Sequence, residues 1–315
     1  MTSTTPHVQG EVEFILDLPL YQTEKPYYVA GPLEKDDEPR RTNAVFETKM
    51  VDFQDIRGAE ESYTLQKDGF TYVRDELSLF AGLQNVNETA LHRYANDTLQ
   101  LMKGIFGTDS CWVYAYKFRS SADICRPAGV PTGEACLPDE PAAKAHIDQT
   151  LDGGFRRIRR HLTPEEQGRF LDQTPPQWRF LIVNTWRPVN HPVANYPLAI
   201  CHPATVDIEQ DGIATDRVSP EFQGENYYLK FRSRHKWYWL SGQQPNELLI
   251  FVSFDSAQDL QASCRPLFYC IVVPTVLTVF DSVIPHCSFR IPGVASGAPP
   301  RESVETRTIV AIRVQ

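Results

Sequence analysis

The chain has 315 residues, 42% of them hydrophobic and 23% charged, with a formal net charge of −9. That length and balance suit a soluble globular fold whose core is large enough to hold without disulfides or a structural metal. The acidic charge is dispersed and no basic stripe stands against it, which excludes a grip on phosphate backbones and so nucleic acid as a partner.

The opening MTSTTPHVQGEVEF has no positive segment ahead of an apolar one, so no signal peptide is expected. The longest apolar stretch, residues 267–279, falls short of the ~20 residues of a spanning helix and contains Pro274. No membrane partner is expected. Seven scattered cysteines without a CxxC pair read as reduced thiols, which places the chain in the cytoplasm. Its oligomeric state is not legible.

Residues 1–42, rich in Pro, Thr and charge, are expected to wrap over the core, leaving 43–315 as one domain. Between Val45 and Val73 short apolar runs alternate with turn residues, which predicts strands. A helix is predicted over 88–105, capped by Asn87, with Leu91, Tyr94, Leu101 and Ile105 roughly along one face. The run 111–119 (CWVYAYKFR) is aromatic and β-branched, hence a strand; a loop with Pro127, Pro131, Pro138 and Pro141 follows. FRRIRRHL reads as a basic helix with a solvated charged face, and Pro164 opens another at PEEQGRFL. Beyond it nearly every signal is strand: WRFLIVNTW, PLAICHP, YYLKFR, KWYWL, ELLIFVSF and SVETRTIVAIRV. The fold class is α+β, mainly β: a β-sandwich core with helices packed on one outer face.

Chemistry concentrates first at His146-Ile147-Asp148. On a strand, residues i and i+2 share a face, so an imidazole and a carboxylate can converge on one divalent ion. A third ligand would complete a 2-His-1-carboxylate face with open positions. Of His161, His191, His202, His235 and His286, the last stands late in the chain ahead of an arginine-bearing strand, the order a double-stranded β-helix oxygenase requires. Arg301 and Arg307 are six residues apart and share a face if both lie on that strand. Either supplies a charged fork for the distal carboxylate of 2-oxoglutarate, with Ser303 placed to share it. The plain alternatives are a chance HxD pair and surface arginines.

Asn184 and Trp186 share a face at the end of an apolar strand, where they could line the cosubstrate site or serve the core. Arg187 points away or bends into the mouth. His235 and Trp237 lie on an aromatic strand, as substrate contacts or plain packing.

Taken in order, several motifs resemble the fungal hydroxylase/desaturase family related to gibberellin desaturase and the cephamycin methoxylase component. They are Ile56-Arg57-Gly58, His146-Ile147-Asp148-Gln149, Asn184-Thr185-Trp186-Arg187-Pro188, Pro197-Leu198-Ala199, His235-Lys236-Trp237-Tyr238, Asn246-Glu247-Leu248, Phe254-Asp255-Ser256, Pro285-His286 and Pro300–Arg307. The resemblance spans most of 45–315. It implies a double-stranded β-helix (jelly-roll) core and Fe(II) on His146, Asp148 and His286, with 2-oxoglutarate and O2 as cosubstrates. The activity implied is hydroxylation, desaturation or oxidative cyclisation of a small-molecule secondary metabolite. His202 stands where the family more often has aspartate, and the apolar stretch from Leu260 to Val279 is longer than the family leads one to expect. It reads as an insertion beside the site or a retained intron. Two other readings use the same residues: a zinc hydrolase, which needs a general base and no anion anchor, and a non-catalytic jelly-roll binding protein.

Overall fold

A computed structural model describes residues 7–30, 33, 35–75, 87–122, 138–257, 283–295 and 297–314. The apolar stretch 260–279 and the part of the Pro-rich loop carrying Pro127 and Pro131 lie outside the described residues.

The strands, in chain order, begin with β1 (His7–Ile15), β2 (Tyr27–Val29), β3 (Phe46–Asp55), β4 (Phe70–Arg74) and β5 (Cys111–Ser120). Then come β6 (His146–Ile147), β7 (Trp178–Pro188), β8 (Leu198–Cys201), β9 (Gly212–Val218) and β10 (Gln223–Leu229). The last are β11 (Trp237–Trp239), β12 (Glu247–Asp255), β13 (His286–Ser288) and β14 (Glu302–Arg313). They form a large sheet ordered β1-β3-β11-β8-β13-β6-β10-β9-β2 and a small one ordered β4-β12-β7-β14-β5. The mainly-β expectation is met among the described residues. The described part of residues 1–42, the segment expected to wrap over the core, supplies β1 and β2, the two edges of the large sheet.

Parity along the strands separates two interiors. From β7 the even-numbered Phe180, Ile182, Asn184 and Trp186 face the large sheet, while Leu181 and Val183 face outward. Trp186, Leu249, Phe251, Ile200 and Ile284 fill the layer between the sheets. Each such fully buried side chain contributes about 1.5–3 kcal/mol. The large sheet also curls, so that Glu13 of β1 bridges to Lys144, just ahead of β6. A second core of Phe14, Phe53, Ala199, Cys201, Trp237, Cys287 and Phe289 lies on the far side of the sheet from the small one. The apolar run on β7 therefore reflects burial on both faces.

Three helical pieces matter here: α1 (Leu65–Asp68), α2 (Glu88–Phe106) and α3 (Leu151–His161). In α2 the Asn87 side chain accepts from the amide of Ala90, and Gly107, with φ 61°, closes the helix in the left-handed region that glycine tolerates. Its buried stripe is Leu91, Tyr94, Thr98 and Met102, laid over β5 and β14 on the outer face of the small sheet. Leu101 and Ile105 are only partly buried beside it. Helix α3 departs from the expected single helical face. It packs against β10 of one sheet and β12 of the other, with Ile158 among Phe180, Ile182, Phe254 and Ile309 between the layers. That seat depends on Gly154, where a Cβ would stand 2.0 Å from the Phe254 ring. No helix among the described residues is long and apolar enough to cross a membrane.

Several motifs of the resemblance are joints of this frame. Arg57 forks onto both carboxylate oxygens of Glu247 at 2.6 and 2.9 Å, tying the turn after β3 to the start of β12. Asp255 takes the buried guanidinium of Arg179, and Ser256 accepts from the amide of Phe180 at 2.8 Å.

Candidate metal centre

The site is assembled across the two sheets. β13 lies between β8 and β6, and the register sets His286 directly beside His146. Their rings stand 4.3 Å apart, and the Phe251 ring from the small sheet packs on His286 at 4.7 Å. Asp148 follows β6 on the same side. One ligand atom from each of His146, Asp148 and His286 lies within 4.8 Å of the others. The Nε2 atoms are 3.7 Å (His146) and 4.0 Å (His286) from oxygens of Asp148.

Each ring is oriented from behind. His146 Nδ1 lies 2.8 Å from the carbonyl of Lys144, and His286 Nδ1 3.1 Å from that of Ile284. A carbonyl accepts only, so Nδ1 carries the proton and Nε2 turns its lone pair inward. Burial holds both imidazoles neutral: His146 is pushed down to about 3, with His286 adding to the effect, and His286 is lowered as well. Burial alone would raise the Asp148 carboxyl, but Arg307, His286, His146 and the Asn184 amide outweigh it and hold it well below the usual range. Two neutral imidazoles and one carboxylate suit a divalent transition metal.

Asn184 and Arg307 both reach this carboxylate. Asn184 Nδ2 donates to Asp148 Oδ2 at 2.6 Å, and its own oxygen accepts from Ser253 at 3.2 Å. Arg307 donates to Asp148 Oδ1 at 2.9 Å and to Glu305 at 3.0 Å. The two residues expected at the cosubstrate thus protrude from adjacent strands directly over Asp148 and clamp it. Sequence reasoning missed Glu305, whose position two residues before Arg307 on the same face was the available signal.

Arg301 is different. It is 3% exposed, and its NH1 donates to the carbonyl of Tyr196 at 3.1 Å and to Ser288 at 3.3 Å. Its Nε and NH2, and the hydroxyl of Ser303, find no partner among the described residues. Burial lowers this guanidinium to about 9, with Arg119 adding repulsion. A desolvated cation with two idle donors, beside an idle hydroxyl, fits a carboxylate. A cavity of about 400 Å³ borders its supports Ser121, Tyr196 and Ser288.

Of the other expected contacts, Trp186 packs in the wall of the site under the Arg301 guanidinium, 5.7 Å away, and the remaining three are not brought here. Arg187 has the opposite parity and pairs with Asp75 over the Tyr94 ring. His235 is buried against Asp211 at 3.1 Å. Trp237 pairs with Cys201, not Ile200, and so falls into the second core, on the face of the large sheet opposite His286. The motif at His202 faces Asp68 at 3.6 Å.

Two sheets enclosing a His-Asp-His group define a candidate mononuclear metal centre. The chain belongs to the family described as YDMC: Oxidoreductase/YMDC permease-like domain, whose model matches residues 16–268. It is similar to the hydroxylase/desaturase CTB9 of Cercospora beticola, with 28% identity over 84% of this chain and 77% of that one. It is also similar to the Fe(II)/2-oxoglutarate-dependent dioxygenase nvfI of Aspergillus novofumigatus, with 27% identity over 91% of each. The fold matches a solved structure of the iron and alpha-ketoglutarate-dependent endoperoxidase NvfI at a TM-score of 0.76 and 24% identity, covering 99% of this chain and 100% of that one. The likeness to fungal hydroxylase/desaturases is borne out; the finer one, to gibberellin desaturase and the cephamycin component, rests on the motifs alone.

Proposed function

We propose that this chain is an Fe(II)/2-oxoglutarate-dependent oxygenase of small-molecule secondary metabolism, with its two sheets forming a double-stranded β-helix. The observation that carries the reading is the convergence of His146, Asp148 and His286 within 4.8 Å. In it the three residues hold the iron, and Arg301 with Ser303 holds the distal carboxylate of 2-oxoglutarate. The metal and cosubstrate, when bound, supply oxygen activation for hydroxylation, desaturation or oxidative cyclisation of the substrate.

The protein's own contribution is geometric. The Lys144 and Ile284 carbonyls fix the imidazoles, Asn184 and Arg307 fix the carboxylate, and Phe251, Trp186 and Ile200 keep the wall beside them dry. A zinc hydrolase has no use for the desolvated Arg301, and the relatives match the oxygenase and not the hydrolase.

Anaerobic titration with Fe(II) and 2-oxoglutarate, followed by the weak visible charge-transfer band of the chelate, tests the assignment. Losing a charge-assisted bond of about 1.5–3 kcal/mol, Arg301→Gln should weaken 2-oxoglutarate roughly 10- to 100-fold while Fe(II) affinity holds. An unchanged cosubstrate isotherm refutes the anchor.

A further inference from the structure

The basic run of α3 is not one solvated face. Arg156 pairs with Glu225 at 3.3 Å, Arg159 with Asp172 at 3.0 Å, and Arg160 donates to the Glu221 carbonyl at 2.6 Å. Arg157 has no carboxylate partner among the described residues, and its Nε is buried without an acceptor. It is partly buried, on the face of α3 that helical spacing shares with Gly154, Ile158 and His161, the side turned between the sheets. Its guanidinium lies 4.0 Å from the centre of the Phe222 ring and 6.0 Å from that of Tyr114. Burial lowers it, as does the field of Arg307 and Arg160, while Tyr114 and Asp148 raise it.

Tyr114 is itself unusual. The pairing of β14 with β5 shifts between Arg307, opposite Ala115, and Thr308, opposite Val113, so Tyr114 is the extra residue of a β-bulge. Bulges re-aim side chains, often beside active sites. The hydroxyl of Tyr114 is buried with no partner among the described residues, and Asp148 and Arg307 are close enough to act on it. The ring of His161 closes its far side at 4.6 Å.

We infer that Arg157 and Tyr114 form a second oxyanion subsite beside the metal centre, which takes a carboxylate of the primary substrate. The inference rests on the proposed function. A guanidinium seated over an aromatic ring still has N–H donors for a planar, bidentate acceptor, and the Tyr114 hydroxyl adds a donor. Among the described residues, the neighbouring cations are already occupied: Arg307 by Asp148 and Glu305, Arg119 by Glu305 and Lys117 by Asp139. The substrate is therefore held by its anion at Arg157, and the cosubstrate by its own at Arg301.

The test uses the full chain, anaerobic and loaded with Fe(II) and 2-oxoglutarate, with 2-naphthoate and its neutral isostere 2-naphthamide as probes in isothermal titration. Wild type should prefer the carboxylate at least tenfold. Arg157→Gln should erase that preference with the charge-transfer band intact, Arg157→Lys should keep part of it, and Tyr114→Phe should reduce it about threefold. A wild type that binds neither probe, or both equally, overturns the subsite, as does a preference that survives in Arg157→Gln. If the wild type shows no band at all, the oxygenase reading itself has failed and the subsite falls with it.

Discussion

At the residue scale, the difference between Arg301 and Arg307 is one of partners, not of chemistry. Both are arginines of the same parity, Arg307 on β14 and Arg301 just ahead of it, and sequence spacing treats them alike. Arg307 is neutralised by Asp148 and Glu305, whereas Arg301 is desolvated with two idle donors. The same reasoning gives Asn184 its work. It restrains one oxygen of a metal-ligand carboxylate, and removing such a support typically costs 10- to 100-fold in metal affinity. Asn184→Ala is expected to weaken Co(II) binding by about that factor, read from its visible absorption, with little change in the 2-oxoglutarate affinity of the metal-saturated protein. Unaltered Co(II) affinity would mean that Arg307 alone orients Asp148.

At the element scale, α3 shows how tight packing fixes the site's surroundings. Glycine within a helix costs roughly 1 kcal/mol relative to alanine, so propensity alone says that Gly154→Ala stabilises. The 2.0 Å approach to Phe254 says the reverse, since overpacking a core costs about 1–3 kcal/mol. Packing should win, and chemical denaturation should show Gly154→Ala destabilised. A gain in stability would show that α3 can lift away from β12 without loss. The helix also marks where sequence reading fell short. Arginines at 156, 157, 159 and 160 look alike in the run, and only the turn of α3 into the gap between sheets separates Arg157 from the rest.

At the scale of the whole molecule, legibility followed element length. The strands of the small sheet are long apolar runs, and α2 has a cap and a periodic stripe, so both were readable. The site was readable too, through His146-x-Asp148 and a late histidine. What hid was carried by register: β6 and β13 are two and three residues long, too short for any periodicity. Trp237 and Arg187 drop out of the site because pairing sets them on the opposite face, which their residue types do not reveal. The curl that brings Glu13 to Lys144 joins elements far apart in the chain, and so residues 1–42 looked like a wrapping segment.

The account turns on His146, Asp148 and His286 acting as one ligand set, and anaerobic Fe(II) binding by wild type and His286→Ala measures that directly. Wild type should bind one Fe(II) and, with 2-oxoglutarate, develop the visible band; His286→Ala, its thermal unfolding otherwise intact, should bind iron far more weakly and show no band. A variant that binds iron and develops the band as wild type does would contradict the site.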